Sequence, residues 1–153
     1  MTDAGLIRKI LVATDASEQS LRAAQYAAQI AKCTGAQVVI LHVAEVSGIT
    51  QFVTHAIEAA PRHERAPRET GEIVVEKTKK PFLEADVQVH TKIIEGFAAD
   101  VILKEAEDGK YDLIAMGSRG AGTSLAERVF LGLGSVAERV IGSAPCPVLV
   151  VRA

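Results

Sequence analysis

No apolar stretch in this chain approaches the roughly 18 residues that a membrane-spanning helix requires. Formal net charge is only −2, so no strong field of either sign draws the protein to nucleic acid or to an anionic membrane. The two cysteines, Cys33 and Cys146, lack the spacing of a metal site or a redox pair and suit a reducing compartment. Met1 to Gly5 carries no basic-plus-apolar leader, which gives the expectation of a cytoplasmic protein. Also missing are a Ser-His-Asp or Cys-His set with a reason to converge and a P-loop lysine–serine pair, which argues against fast hydrolysis. There is no internal repeat and no low-complexity segment. What remains is 153 residues, 48% hydrophobic and 24% charged, expected to form one globular domain over 1–153.

Read in order, the chain alternates. Ile10-Leu11-Val12-Ala13-Thr14 is a continuous apolar strand ending at Asp15. Ser17 to Thr34 has helical spacing, with Leu21, Ala24, Ala28 and Ala31 on one face, and Gly35 closes it. Val38 to Val43 is a second buried strand. From Ala44 to about Arg68 the pattern breaks. A helix then passes through Ile73, Val74 and Lys77, and Pro81 is expected to end or kink it. Val87 to Ile94 alternates as a half-buried or edge strand does. Ala98 to Asp108 reads as a helix closed by Gly109, and Leu113 to Met116 as a buried strand. A helix from Ser135 and a last strand, Val148 to Val151, complete the series. Five strands with helical crossovers predict an α/β fold: an open parallel sheet with helices on both faces.

The chain is organised around Gly117-Ser118-Arg119-Gly120-Ala121-Gly122, which runs on to Gly134-Ser135. Strand, glycine loop, helix is an order that gathers backbone N–H groups and a helix N-terminus around an anion. Ligands of open α/β sheets sit beyond the carboxyl ends of the strands. That rule independently selects Asp15, Val43, the segment Ile94 to Gly96, and Gly117. The glycines do not make a dinucleotide fingerprint, because they lie late in the chain and in the wrong order.

Val12-Ala13-Thr14-Asp15-Ala16-Ser17 and Gly117-Ser118-Arg119-Gly120 resemble signatures of the universal stress protein (UspA-like) family. So do Gly134-Ser135-Val136-Ala137-Glu138-Arg139-Val140 and Ala144-Pro145-Cys146-Pro147-Val148-Leu149-Val150-Val151. The resemblance runs from about Lys9 to Arg152. It implies a five-stranded Rossmann-like sheet in the order 3-2-1-4-5, homodimers, and in one branch adenine-nucleotide binding through G-x2-G-x9-G-[ST]. Here thirteen residues, not nine, separate Gly120 from Gly134. The four extra residues are about one helical turn. Ser124 with Glu127 has the capping-box pattern, Leu125 to Leu131 is a candidate short helix, and Gly132 its end.

On this resemblance the nucleotide-binding residues are Ala13, Thr14 and Asp15 after the first strand, and Val43, whose backbone would meet adenine. Met116, Gly117, Arg119 and Gly120 follow the fourth strand, with Gly134, Ser135 and Val136 at the last helix. The expected cofactor is ATP with magnesium. AMP or cyclic AMP is the alternative ligand, and a nucleotide-free protein–protein interaction module the alternative function. The leading reading is a regulatory protein of the stress response with at most slow ATPase activity, an unknown protein partner, and a homodimer formed through the edge strand Val148–Val151.

Blander roles compete at several positions. Asp15 with Glu18, and Ser135 with Glu138, both have capping-box spacing. Arg119 is read as a phosphate partner or as a solvated loop charge. His42 and His90 are expected to be packed or edge residues of strands. Cys146, between two prolines, is expected to be an apolar packing residue. His55, Glu58, His63 and Glu64 match no strong zinc spacing. The segment Ser47 to Arg68 is expected to form a mobile flap near the ribose side of the crevice.

Overall fold

The computed structural model describes residues 5–45, 67–119 and 133–152. Strands β1 (Lys9–Ala13), β2 (Gln37–Glu45), β3 (Val89–Gly96), β4 (Leu113–Gly117) and β5 (Val148–Val151) form one parallel sheet in the order β3-β2-β1-β4-β5. Helix α1 (Glu18–Thr34) follows β1, α2 (Pro67–Glu84) precedes β3, α3 (Ala98–Asp108) links β3 to β4, and α4 (Ser135–Ser143) leads into β5. This is the predicted α/β architecture with the predicted strand order. The inserted segment Ser124–Leu131, the four candidate metal ligands at 55–64, and the flap as far as residue 66 lie outside the described residues.

The uninterrupted hydrophobicity of β1 follows from its central place, with side chains alternating between two packed faces. Ile10 and Val12 join Ala24, Ala27, Ala28 and Ala31 of α1 and Phe82 of α2. Leu11 and Ala13 join Ala99, Ile102 and Ala106 of α3 and Ala137 and Val140 of α4. The alanine stripe lets α1 lie close to the sheet. Leu21, expected in that stripe, is only half-buried, and Ala23 and Ala27 take its place.

Two helix ends differ from expectation, and a third ends at Gly109 as expected but with the left-handed residue one position later. Pro81 lies inside α2, which continues to Glu84. Phe82 is fully buried, and the end is closed by Asp86 N–H to the Leu83 carbonyl at 3.2 Å and Val87 N–H to the Phe82 carbonyl at 2.9 Å. Asp86 takes the left-handed conformation (φ 58°), so this is a Schellman closure without glycine. It uses the backbone of Val87, which is why β3 begins at Val89. Likewise Gly109 is right-handed (φ −82°) and Lys110 takes the left-handed position (φ 51°). Gly109 is needed for a different reason: a Cβ there would lie 2.3 Å from the Tyr111 ring. Pro67 and Arg68, read as part of the irregular segment, are the first residues of α2, with proline where its missing N–H costs nothing.

Phe82 and Leu83 test the packing directly, because Phe82 is fully buried and its neighbour is 70% exposed. Phe82→Ala is expected to lower unfolding free energy by about 3–5 kcal/mol in urea titration. Leu83→Ala should change it by less than about 0.5 kcal/mol. Equal losses would mean that α2 is not docked through Phe82.

Candidate nucleotide site

The site begins where β1 stops. Thr14 N–H donates to the Leu41 carbonyl at 3.0 Å, the last ladder bond, and the chain then turns away through left-handed Ala16 (φ 60°). Two side chains hold that turn: Thr14 Oγ1 accepts from Ala16 N–H at 3.1 Å, and Asp15 Oδ1 accepts from Ser17 N–H at 2.9 Å. Ser17, not Asp15, is the N-cap of α1, accepting from Ser20 N–H at 3.3 Å. The left-handed residue sets Asp15 back from the helix, so the Asp15–Glu18 capping box does not form. Asp15 Oδ1 instead accepts from Ser20 Oγ at 3.1 Å, which holds the carboxylate beside the cleft.

Strand β2 runs on past the end of β1. Because Leu41 bonds toward β1, the alternation of a parallel strand turns Val43 N–H and C=O to the same side, where β1 has already ended. The Thr14 carbonyl that would have met Val43 is bonded by His42 Nδ1 at 2.9 Å. A carbonyl only accepts, so His42 Nδ1 carries the proton. His42, expected to be a packed or edge residue of its strand, is half-buried and lines the cleft. Beneath this turn, Thr14 Oγ1 lies 2.9 Å from Thr78 Oγ1, and Thr78 donates to the Val74 carbonyl at 2.8 Å. These hydroxyls tie α2 to the end of β1.

At the other end, Gly117 terminates β4. A Cβ on it would lie 2.9 Å from Gln19 Cβ and 2.9 Å from Ser20 N. Gly117 is therefore glycine at least to admit the first turn of α1. Ser118 N–H donates to the Val151 carbonyl at 2.9 Å, Gly134 N–H to the Ser118 carbonyl at 2.7 Å, and Arg119 N–H to Gln19 Oε1 at 2.8 Å. These three donors are used within the protein. Gly134 (φ −76°, ψ 162°) is the N-cap of α4, and Glu138 N–H bonds its carbonyl at 3.0 Å. Ser135 is the first helical residue, so the Ser135–Glu138 capping box is also absent. Among the described residues, the N–H groups of Ser135, Val136 and Ala137 have no partner, and they carry the positive end of the helix dipole.

Between these two ends lies a cleft of about 600 Å³, within the range of about 300–1,000 Å³ usual for ligand sites. Ala13, Thr14, Asp15, Val43, Met116, Gly117, Arg119, Gly134, Ser135 and Val136 all line it. Gly120 lies outside the described residues. The lining residues that the sequence reading missed are chiefly Ser20, His42, Glu45, Thr70 and Ser118. Ser20 and Thr70 come from helices, and no motif flags them. Glu45 is reached because β2 extends further than its apolar run. Cys146 is half-buried against the α3–α4 core, and burial, with the Asp112 charge adding, pushes its thiol pKa up. That suits a packing residue, not a nucleophile.

The universal stress protein family model matches residues 6–152. The chain is 43% identical to universal stress protein MJ0531 of Methanocaldococcus jannaschii over 148 residues, 96% of this chain and 83% of that protein. Hypothetical protein MJ0577 of the same organism has a solved structure that superposes with a TM-score of 0.75 at 28% identity, covering 97% of this chain and 98% of that one. A universal stress protein solved in complex with cAMP superposes with a TM-score of 0.70 at 22% identity, covering 96% and 98%.

The contact under Gly117 yields a stability prediction that needs no ligand. Gly117→Ala should destabilise the fold by about 1–3 kcal/mol in urea titration, since the new methyl meets the backbone of α1. A neutral Gly117→Ala would show that the α1 turn does not sit against β4 as described.

Proposed function

The chain belongs to the universal stress protein family, and we propose that it is an adenine-nucleotide-binding regulatory protein of the stress response, with ATP and magnesium as its ligand. One observation carries this reading: among the described residues, the cleft joins an unpaired strand edge at Val43 to the unpartnered first turn of α4. A backbone N–H and C=O side by side match the acceptor and donor on one edge of adenine. The N–H groups of Ser135 to Ala137, at a positive dipole end, suit phosphate oxygens. Asp15, held by Ser20, would face the sugar between them. Arg119, at the same end of the cleft, is the cationic partner for phosphate. The reading is of a cytoplasmic binding protein, a single domain over 1–153, with at most slow ATP turnover.

A second reading, AMP or cyclic AMP, is favoured by the cAMP complex of the structural neighbour. One phosphate suffices to engage the first turn of α4. ATP needs further partners, and the lengthened segment after Gly120 is where they would come from.

Calorimetric titration with ATP, AMP and cyclic AMP, each with magnesium, tests both readings. Binding is expected for wild type and lost in Gly120→Val and Gly134→Val. The backbone of Gly134 is one that valine adopts without strain, so circular dichroism should show a folded chain. A folded Gly134→Val that binds ATP as tightly as wild type would move the phosphates elsewhere. No binding of any of the three by wild type would leave the interaction-module reading.

We also propose a homodimer built through β5, an apolar strand at a sheet edge. Such an edge invites pairing, and pairing with its own copy across a two-fold axis closes it. Sedimentation at micromolar concentration should give a dimer, and Leu149→Pro with Val151→Lys should give monomers. A wild-type monomer would sink the proposal.

A further inference from the structure

Gln19 is not among the residues that line the cleft, yet it holds the cleft's phosphate end together. Its Oε1 accepts from Arg119 N–H at 2.8 Å and from Ser118 Oγ at 3.2 Å. One carbonyl oxygen thus uses both of its lone pairs on the turn that leaves β4. Its stem packs beneath Gly117, where there is no room for a Cβ. Of the three backbone donors fixed at this junction, Ser118 and Gly134 bond main-chain carbonyls, while Arg119 alone bonds a side chain. That bond is therefore the one that substitution can remove.

The next residue on the same turn of α1 is Ser20, whose hydroxyl donates to Asp15. Adjacent side chains of one helical turn therefore hold both ends of the site. Ser20 holds the carboxylate at the end of β1, and Gln19 holds the 118–119 turn at the end of β4. Through Ser118, whose carbonyl accepts from Gly134 N–H at 2.7 Å, the hold extends to the N-terminus of α4.

We propose that Gln19 is a positioning residue for the phosphate end of the site: by bonding the Arg119 peptide and the Ser118 hydroxyl, it sets Arg119 and the first turn of α4 at their distance from Asp15. The inference rests on the adenine-nucleotide reading above. It adds that affinity for the phosphorylated ligand, relative to the bare nucleoside, depends on a residue outside the cleft. Gln19 touches no ligand and acts through the Arg119 backbone.

Gln19→Met tests this, because methionine keeps the length, helix propensity and packing while removing the acceptor. Gln19→Ala removes it a second way, and Gln19→Glu retains an acceptor oxygen. ATP and adenosine are titrated into each full-length variant, and amide exchange at Arg119 is followed without ligand. In Gln19→Met and Gln19→Ala, ATP affinity should fall about tenfold, the size expected for loss of a hydrogen bond that orients the site, with adenosine affinity within about twofold of wild type. Arg119 exchange should quicken in both and stay slow in Gln19→Glu. The proposal is overturned if both removals bind ATP as wild type does, or if ATP and adenosine weaken together, as a general loss of structure would cause. It is also overturned if the Arg119 amide of wild type exchanges as fast as that of Gln19→Met. A wild type that binds neither ligand overturns the adenine-nucleotide reading and this inference with it, while the Arg119 exchange still reports separately whether the contact exists.

Discussion

The cleft exists because the central strand stops before its neighbour does. Ala13 pairs with Leu41, yet β2 continues to Glu45 and pairs with β3 throughout. An abandoned parallel strand leaves backbone donors and acceptors facing an empty track, and such groups must find a partner or a ligand. Here the His42 ring takes the Thr14 carbonyl, and the edge beyond it, at Val43, is left to the cleft. The turn that makes this possible puts alanine at φ 60°, a conformation costing an L-residue roughly 1–2 kcal/mol. Bonds from Thr14 and Asp15 offset that cost. Backbone strain thus sits at the mouth of the site, where the rest of the fold over-determines it.

Most of the fold was legible because its signals are local. Continuous apolar runs gave the buried strands, spacing gave the helices, and a parallel sheet left few ways to connect them. The errors lie at helix ends, where sequence rules rely on glycine, proline and capping residues. Burial of Phe82 carries α2 past Pro81, and the left-handed Ala16 puts Ser17 in the cap in place of Asp15. The first depends on packing against the core, the second on a turn conformation that alanine does not announce.

The candidate site was legible in its position and less so in its physics. The strand-end rule and the glycine motif converged on residues that do line one cleft. The roles assigned to them shift once donors are counted. Gly117 makes room for α1. The backbone N–H groups of Ser118, Arg119 and Gly134 already have acceptors, so the loop entrance is scaffold. Among the described residues the unpaired backbone donors at the α4 end of the cleft are those of Ser135 to Ala137. A glycine pattern in sequence marks tight packing as readily as it marks ligand approach, and only the neighbours of each glycine tell the two apart.

Helix α2 reaches the site through hydroxyl groups and through Gly71, which packs against the His42 ring. Thr78 is fully buried in α2; its hydroxyl donates to the Val74 carbonyl and accepts from Thr14 at 2.9 Å, and Ser20, beside Thr14, donates to Asp15. In a low-dielectric interior such a chain is strong when every member is satisfied and costly when one is lost. No buried side-chain polar atom among the described residues lacks a partner, so this chain is complete. Thr14 Oγ1 also accepts from Ala16 N–H, and Asp15 Oδ1 from Ser17 N–H. The hydroxyls that dock α2 therefore also fix the turn that ends β1, and a change at Thr78 would be felt at the mouth of the cleft.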